Sequence, residues 1–129
     1  MRNLSVCKWV RILAIVFVAT TGASAQQPST PAPRTIEVTA KRFSFEPANI
    51  EVTEGERVRL LVKSADGVHG LQIKKFNVNK MIPRGGQPVT IEFVAAAPGK
   101  YEILCSEECG DGHESMQGTL VVTAKAKGR

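Results

Sequence analysis

Lys100-Tyr-Glu-Ile-Leu-Cys105-Ser-Glu-Glu-Cys109-Gly-Asp-Gly-His113-Glu-Ser-Met116-Gln-Gly118-Thr-Leu-Val-Val-Thr123 joins two strand-like runs, Lys100 to Leu104 and Gly118 to Thr123, through a loop dense in metal-ligating side chains. Twelve loop residues hold two thiols, an imidazole and a thioether, spaced Cys-x3-Cys-x3-His-x2-Met. Soft sulfur with imidazole suits copper, zinc or iron–sulfur, but a thioether is a poor zinc ligand and a natural weak partner for copper. Met116 therefore turns the reading toward copper.

Upstream of that loop the chain reads as β-structure. Ile36 and Val38 alternate with Glu37 and Thr39, Phe43 and Phe45 flank Ser44, and Ile50 and Val52 flank Glu51, each the mark of a half-buried strand. Arg57-Val-Arg-Leu-Leu-Val-Lys63 has an apolar centre that predicts a central strand, followed by a break at Ser64-Ala-Asp-Gly67 and an extended run from Val68 to Ile73. Val89 to Val94 is a further strand between the turns at Pro83 to Gly86 and Pro98-Gly99. No stretch carries a helical period, so about seven to eight strands in an antiparallel, all-β Greek-key sandwich are expected. Phe43, Phe45, Phe76 and Phe93 are expected in its core.

The chain has 129 residues, enough for one domain, and its 43% hydrophobic and 22% charged content is globular rather than disordered. Residues 1–25 stand apart: Arg2, Lys8 and Arg11 precede or open an apolar run, and Ala23-Ser-Ala25 offers small residues for cleavage. A signal peptide cut near Ala25 is expected; the rival, a retained anchor, is shorter than the roughly 20 apolar residues needed to span a bilayer. Residues 26–34 form a Pro-rich flexible lead-in, 35–124 the folded domain and 125–129 a solvated basic tail. Without the leader, 104 residues keep 14 of the 17 basic and all 12 acidic side chains, a net charge of about +2. No nucleic-acid footprint remains at that charge, with Trp9 confined to the leader and Tyr101 the single tyrosine.

Cys7 lies before the apolar run, which is the wrong side for a lipid-attached cysteine, so Cys105 and Cys109 are the two cysteines of the exported domain. Two cysteines outside the cell suggest a disulfide. The short loop it would close adds little stability, and His113 and Met116 on the following turns favour metal instead. The second histidine, His69, is 36 residues upstream of Cys105. A lone strand histidine is usually a surface or core residue, but a Greek key brings distant strands together at one end, so His69 is expected within bonding reach of both sulfurs.

Asp66-x-x-His69, the Pro-Gly turns and Cys105-Ser-Glu107-x-Cys109-Gly-x-Gly-His113-x-x-Met116-x-Gly118 resemble the CuA cupredoxin domain of cytochrome c oxidase subunit II and of nitrous oxide reductase, over roughly Thr35 to Ala124. The resemblance implies a dinuclear copper centre bridged by Cys105 and Cys109. His69 and a weak Met116 would bind one ion, His113 and the backbone carbonyl of Glu107 the other. It further implies a periplasmic carrier that moves single electrons between partners such as cytochrome c and a terminal oxidase. Three differences from that family stand out: no transmembrane segment is expected ahead of the domain; Lys41-Arg-Phe43-Ser-Phe45, where the family carries an aromatic stretch with a Trp, has none; and Glu108 stands where an apolar residue is usual between the cysteines.

Three other readings stay open on the residues. The chain is a detached subunit II of a haem-copper oxidase; or it holds one blue copper through His69, one Cys, His113 and Met116; or it delivers copper. A mononuclear site needs a single thiolate, so the second Cys weighs against it.

Overall fold

In the computed structural model the described residues are 22 and 25–128. The expected leader therefore falls almost wholly outside them. Nine strands form two sheets: β1 (Arg34–Lys41), β2 (Ser44–Glu46), β3 (Asn49–Thr53), β4 (Arg57–Ser64), β5 (His69–Ile73), β6 (Val78–Ile82), β7 (Val89–Val94), β8 (Gly99–Leu104) and β9 (Gln117–Thr123). One sheet has the order β2-β1-β4-β7 and the other β3-β9-β8-β5-β6. Among the described residues the only helical pieces are single 3-10 turns at Lys74–Phe76 and His113–Ser115.

The core follows from the period-2 alternation. β4 lies between β1 and β7, as its apolar centre predicts, and Val58, Leu60 and Val62 on its inner face are fully buried. Val38 and Ala40 of β1, Leu71 and Ile73 of β5, Ile91 and Phe93 of β7, Ile103 of β8 and Leu120 and Val122 of β9 complete the packed layer. Phe76 stacks on Phe93 with ring centroids 5.2 Å apart and meets Tyr101 edge-on at 5.1 Å. The cross-strand pair Arg59 and Glu92 is 2.6 Å apart but exposed, and adds little.

Three features differ from the sequence expectation. β6 is an additional strand; Asn79, Lys80 and Met81 are all exposed between buried Val78 and Ile82, so this edge strand lacks the alternation that would reveal it. The sandwich is not wholly antiparallel, because β1 pairs with β4 and β3 with β9 in parallel, a direction that side-chain period does not encode. Phe43 is not a core residue: it is 37% exposed, in the turn between β1 and β2, while Phe45 on the same segment is buried.

The sheets also fix one special end. β5 and β8 share the ladder pair Gln72↔Leu104, after which the chain leaves β8 and crosses over the start of β5. The β8–β9 loop, the first residue of β5 and the β1–β2 turn therefore meet at one tip.

Leu60→Ala is expected to destabilise the metal-free protein by about 2–5 kcal/mol, since Leu60 is completely enclosed at the centre of its sheet. Urea unfolding followed by circular dichroism checks this.

Candidate metal centre

The loop between β8 and β9 is closed at its neck, where the Cys105 N–H donates to the Met116 carbonyl at 3.3 Å. The 3-10 turn at His113–Ser115 then reverses the chain, with the His113 N–H bonded to the Gly110 carbonyl and the Met116 N–H to the His113 carbonyl. That fold-back turns the sulfurs inward. Cys105, Cys109 and Met116 are all buried, at 8%, 6% and 1% exposure.

The ligand atoms of His69, Cys105 and Cys109 lie within 4.8 Å of one another. Both cysteines are free, with their sulfurs 3.6 Å apart, beyond a disulfide bond length. Met116 Sδ and His113 Nδ1 each stand 3.8 Å from Cys109 Sγ. The backbone carbonyl of Glu107 is 3.2 Å from Cys105 Sγ, and its side chain is half-buried. The structure thus brings His69, Cys105 and Cys109 together, and places His113 and Met116 beside the Cys109 sulfur and the Glu107 carbonyl beside that of Cys105.

His69 shows how the cluster is prepared. Its ring is fully buried, Nε2 is 2.6 Å from Asp66 Oδ1, and Nδ1 has no hydrogen-bond partner. Asp66 is held down to about 2, chiefly by the Arg42 backbone N–H, against an opposing effect of burial and helped by His69 and the Gly67 N–H. An ionised carboxylate only accepts, so Nε2 donates in this contact, and in the neutral ring Nδ1 is the nitrogen left with a lone pair for a metal. A buried ring nitrogen without a partner is rare, and a metal ion would supply one there. Burial, and then the neighbouring Cys105 thiol, push the Cys109 thiol up to about 11. A cation that replaces the thiol protons relieves that penalty, so the donor set fits a soft metal ion.

Two glycines let the backbone come this close. A Cβ at Gly70 would run into Ser106 Oγ and stand 2.8 Å from the Glu107 backbone nitrogen, so only glycine lets β5 lie beneath the loop. A Cβ at Gly112 would overlap the Phe43 ring. The loop is also tied from β6, where Ser106 Oγ donates to Asn79 Oδ1 at 2.7 Å. Sequence reasoning did not find Gly70, Asn79 or Arg42. Of these only Gly70 leaves a signal, a glycine inside a strand directly after a candidate ligand.

A buried sulfur-and-imidazole cluster at one end of a two-sheet β-sandwich defines a metal-binding protein whose scaffold presets its ligands. The chain belongs to the cupredoxin-like family: the family's Cupredoxin-like domain matches residues 11–122. Cytochrome c oxidase subunit 2 of Thermus thermophilus is 36% identical over 89 residues, covering 68% of this chain and 64% of the relative. Nitrous-oxide reductase of Cupriavidus necator is 28% identical over 94 residues, covering 70% of this chain and 14% of the relative. The crystal structure of the periplasmic domain of subunit II of cytochrome oxidase from Bradyrhizobium japonicum shares the fold, with a TM-score of 0.66 at 21% identity over 74% of this chain and 88% of that one. The chain spans about half to two thirds of the length of the Thermus oxidase subunits that it matches. Homology with these proteins makes copper the metal that the site implies. Among the described residues no helix is long and apolar enough to cross a membrane.

Gly70→Ala is expected to push the Ser106–Glu107 backbone outward and lower copper affinity while leaving the β-sheet signal unchanged. Copper titration against a competing chelator, beside far-ultraviolet circular dichroism, checks both halves.

Proposed function

We propose that the protein is an exported carrier of single electrons built around a dinuclear, CuA-like copper centre. Cys105 and Cys109 would bridge the two ions, with His69 and a weak Met116 on one and His113 and the Glu107 carbonyl on the other. The observation that carries this reading is two free, buried thiols 3.6 Å apart, with a ring nitrogen of the buried His69 within 4.8 Å of both. When bound, two copper ions sharing two thiolates supply a one-electron couple whose charge is largely offset by sulfur, so bond lengths change little between redox states.

The chain's own contribution is rigidity and exclusion of water. Asp66 orients the His69 ring, the buried sulfurs exclude solvent, and the β5 backbone beneath Ser106 and Glu107 limits movement of the loop. Every strong side-chain donor at the tip is used in this ligand set, which supports a carrier rather than a catalyst. The partners inferred are periplasmic redox proteins, cytochrome c as donor and a terminal oxidase as acceptor, reached after cleavage of residues 1–25. The likeness to oxidase subunit 2 also favours a second reading, in which the chain serves as a detached subunit II of a haem-copper oxidase. Co-purification with a membrane oxidase, and oxygen uptake that depends on this chain, separate the two.

Metal quantitation on the loaded protein is expected to find two coppers per chain. Cys105→Ser and Cys109→Ser should each abolish the dinuclear spectrum and preserve the β-fold. One copper with a single intense blue band would replace the proposal by the mononuclear reading, and ready exchange with chelators would point to copper delivery. Met116→Leu should keep both coppers and shift the reduction potential, because a weak axial ligand tunes more than it holds. Copper affinity should fall as pH drops, since protons compete with the metal for its sulfur and nitrogen donors, the Cys109 thiol, pushed up to about 11, above all.

A further inference from the structure

The segments that carry His69 and Cys109 come from distant parts of the sequence, and a single residue of the opposite sheet touches both. His69 is delivered by the Ser64–Gly67 turn. That turn is fastened internally, with the Ser64 hydroxyl on the Gly67 carbonyl and the Asp66 N–H on Ser64 Oγ at 3.2 Å. Cys109 is delivered by the β8–β9 loop. Arg42, in the turn between β1 and β2, reaches each of them. Its backbone N–H donates to Asp66 Oδ2 at 2.8 Å, while the other oxygen of that carboxylate holds His69 Nε2. Its side-chain Nε–H donates to the Cys109 backbone carbonyl at 3.1 Å. The guanidinium also lies over Gly67, where a Cβ would stand 3.5 Å from its terminal nitrogen.

We infer that Arg42 is a positioning residue of this centre, a clamp that fixes the Cys109 segment relative to His69 from the sheet that supplies no ligand. Three features make the side chain suited to this. The Cys109 carbonyl lies in a loop, outside any ladder, so its direction is set by its donor. A planar guanidinium supplies Nε–H in a fixed direction while its far edge rests on the turn, whereas a lysine ammonium would keep the charge without that fork. The positive charge stands against the Cys109 segment, where it would favour the lower-charged, reduced state of a bound metal. The metal-bound consequences rest on the copper reading above; the clamp itself is a property of the folded chain with or without metal.

The test uses the full chain and two readouts. In the reduced, metal-free protein, Arg42→Ala should increase the rate at which Cys105 and Cys109 react with an aromatic disulfide reagent, because the loop opens more often. Leu60→Ala, remote from the tip, serves as the control for global loosening. In the copper-loaded protein, Arg42→Ala should lose copper to a chelator about tenfold faster or more and have a lower reduction potential. Arg42→Lys should restore the potential and only part of the retention. Thiol labelling of Arg42→Ala no faster than its global stability predicts would overturn the clamp, whatever the metal does. Faster labelling in a protein whose wild type takes up no copper would uphold the clamp and remove the copper reading.

Discussion

The constraint on which the structure turns is a set of lone pairs sealed from water. Two thiols and a ring nitrogen of His69 lie within 4.8 Å of one another at the tip, the Met116 thioether stands 3.8 Å from the Cys109 sulfur, and the buried His69 Nδ1 has no hydrogen-bond partner. Burying such a group without a partner costs free energy, and hydrophobic packing does not offset it locally. The site pushes the Cys109 thiol up to about 11 for the same reason. A soft cation is the partner that satisfies every donor at once, which is why the chemistry of this end follows from its burial.

The sandwich supplies that constraint by geometry rather than by strength. β5 and β8 part company just after Gln72↔Leu104, leaving the loop to cross the start of β5, and Gly70 removes the one side-chain atom that would hold them apart. The loop is then fixed on several sides: at its neck by the Cys105 and Met116 backbones, from β6 through Asn79, and from the β1–β2 turn through Arg42 and Phe43. A loop held in this way would change shape little on a change of charge at a bound metal, the property that the proposed electron transfer requires. The centre of the core, at Val58, Leu60 and Val62 on β4, lies in the sheet that supplies no candidate ligand, while Cys105, Cys109 and Met116 extend the buried layer to the tip.

Much of this was legible in the sequence because both signals are local. Alternation in Arg57 to Lys63 and in the other short runs marks strands, and Cys-x3-Cys-x3-His-x2-Met compresses four donors into one loop. His69 was legible only through the topology that a Greek key imposes. What escaped was long-range. β6 lacks alternation because its exposed edge position asks for none, and the parallel pairings of β1 with β4 and β3 with β9 depend on how the chain crosses between positions in a sheet. Phe43 looks like core by composition, yet it packs on the glycines of the loop. Arg42 reads as one more surface cation, and only its placement beside Asp66 and the Cys109 carbonyl gives it a role.

The central claim, two metal ions sharing both sulfurs, is tested most directly by electron paramagnetic resonance of the copper-loaded protein together with metal quantitation. The account predicts an unpaired electron whose hyperfine pattern reports two equivalent copper nuclei. A pattern from a single nucleus, in a fully loaded protein, would contradict it.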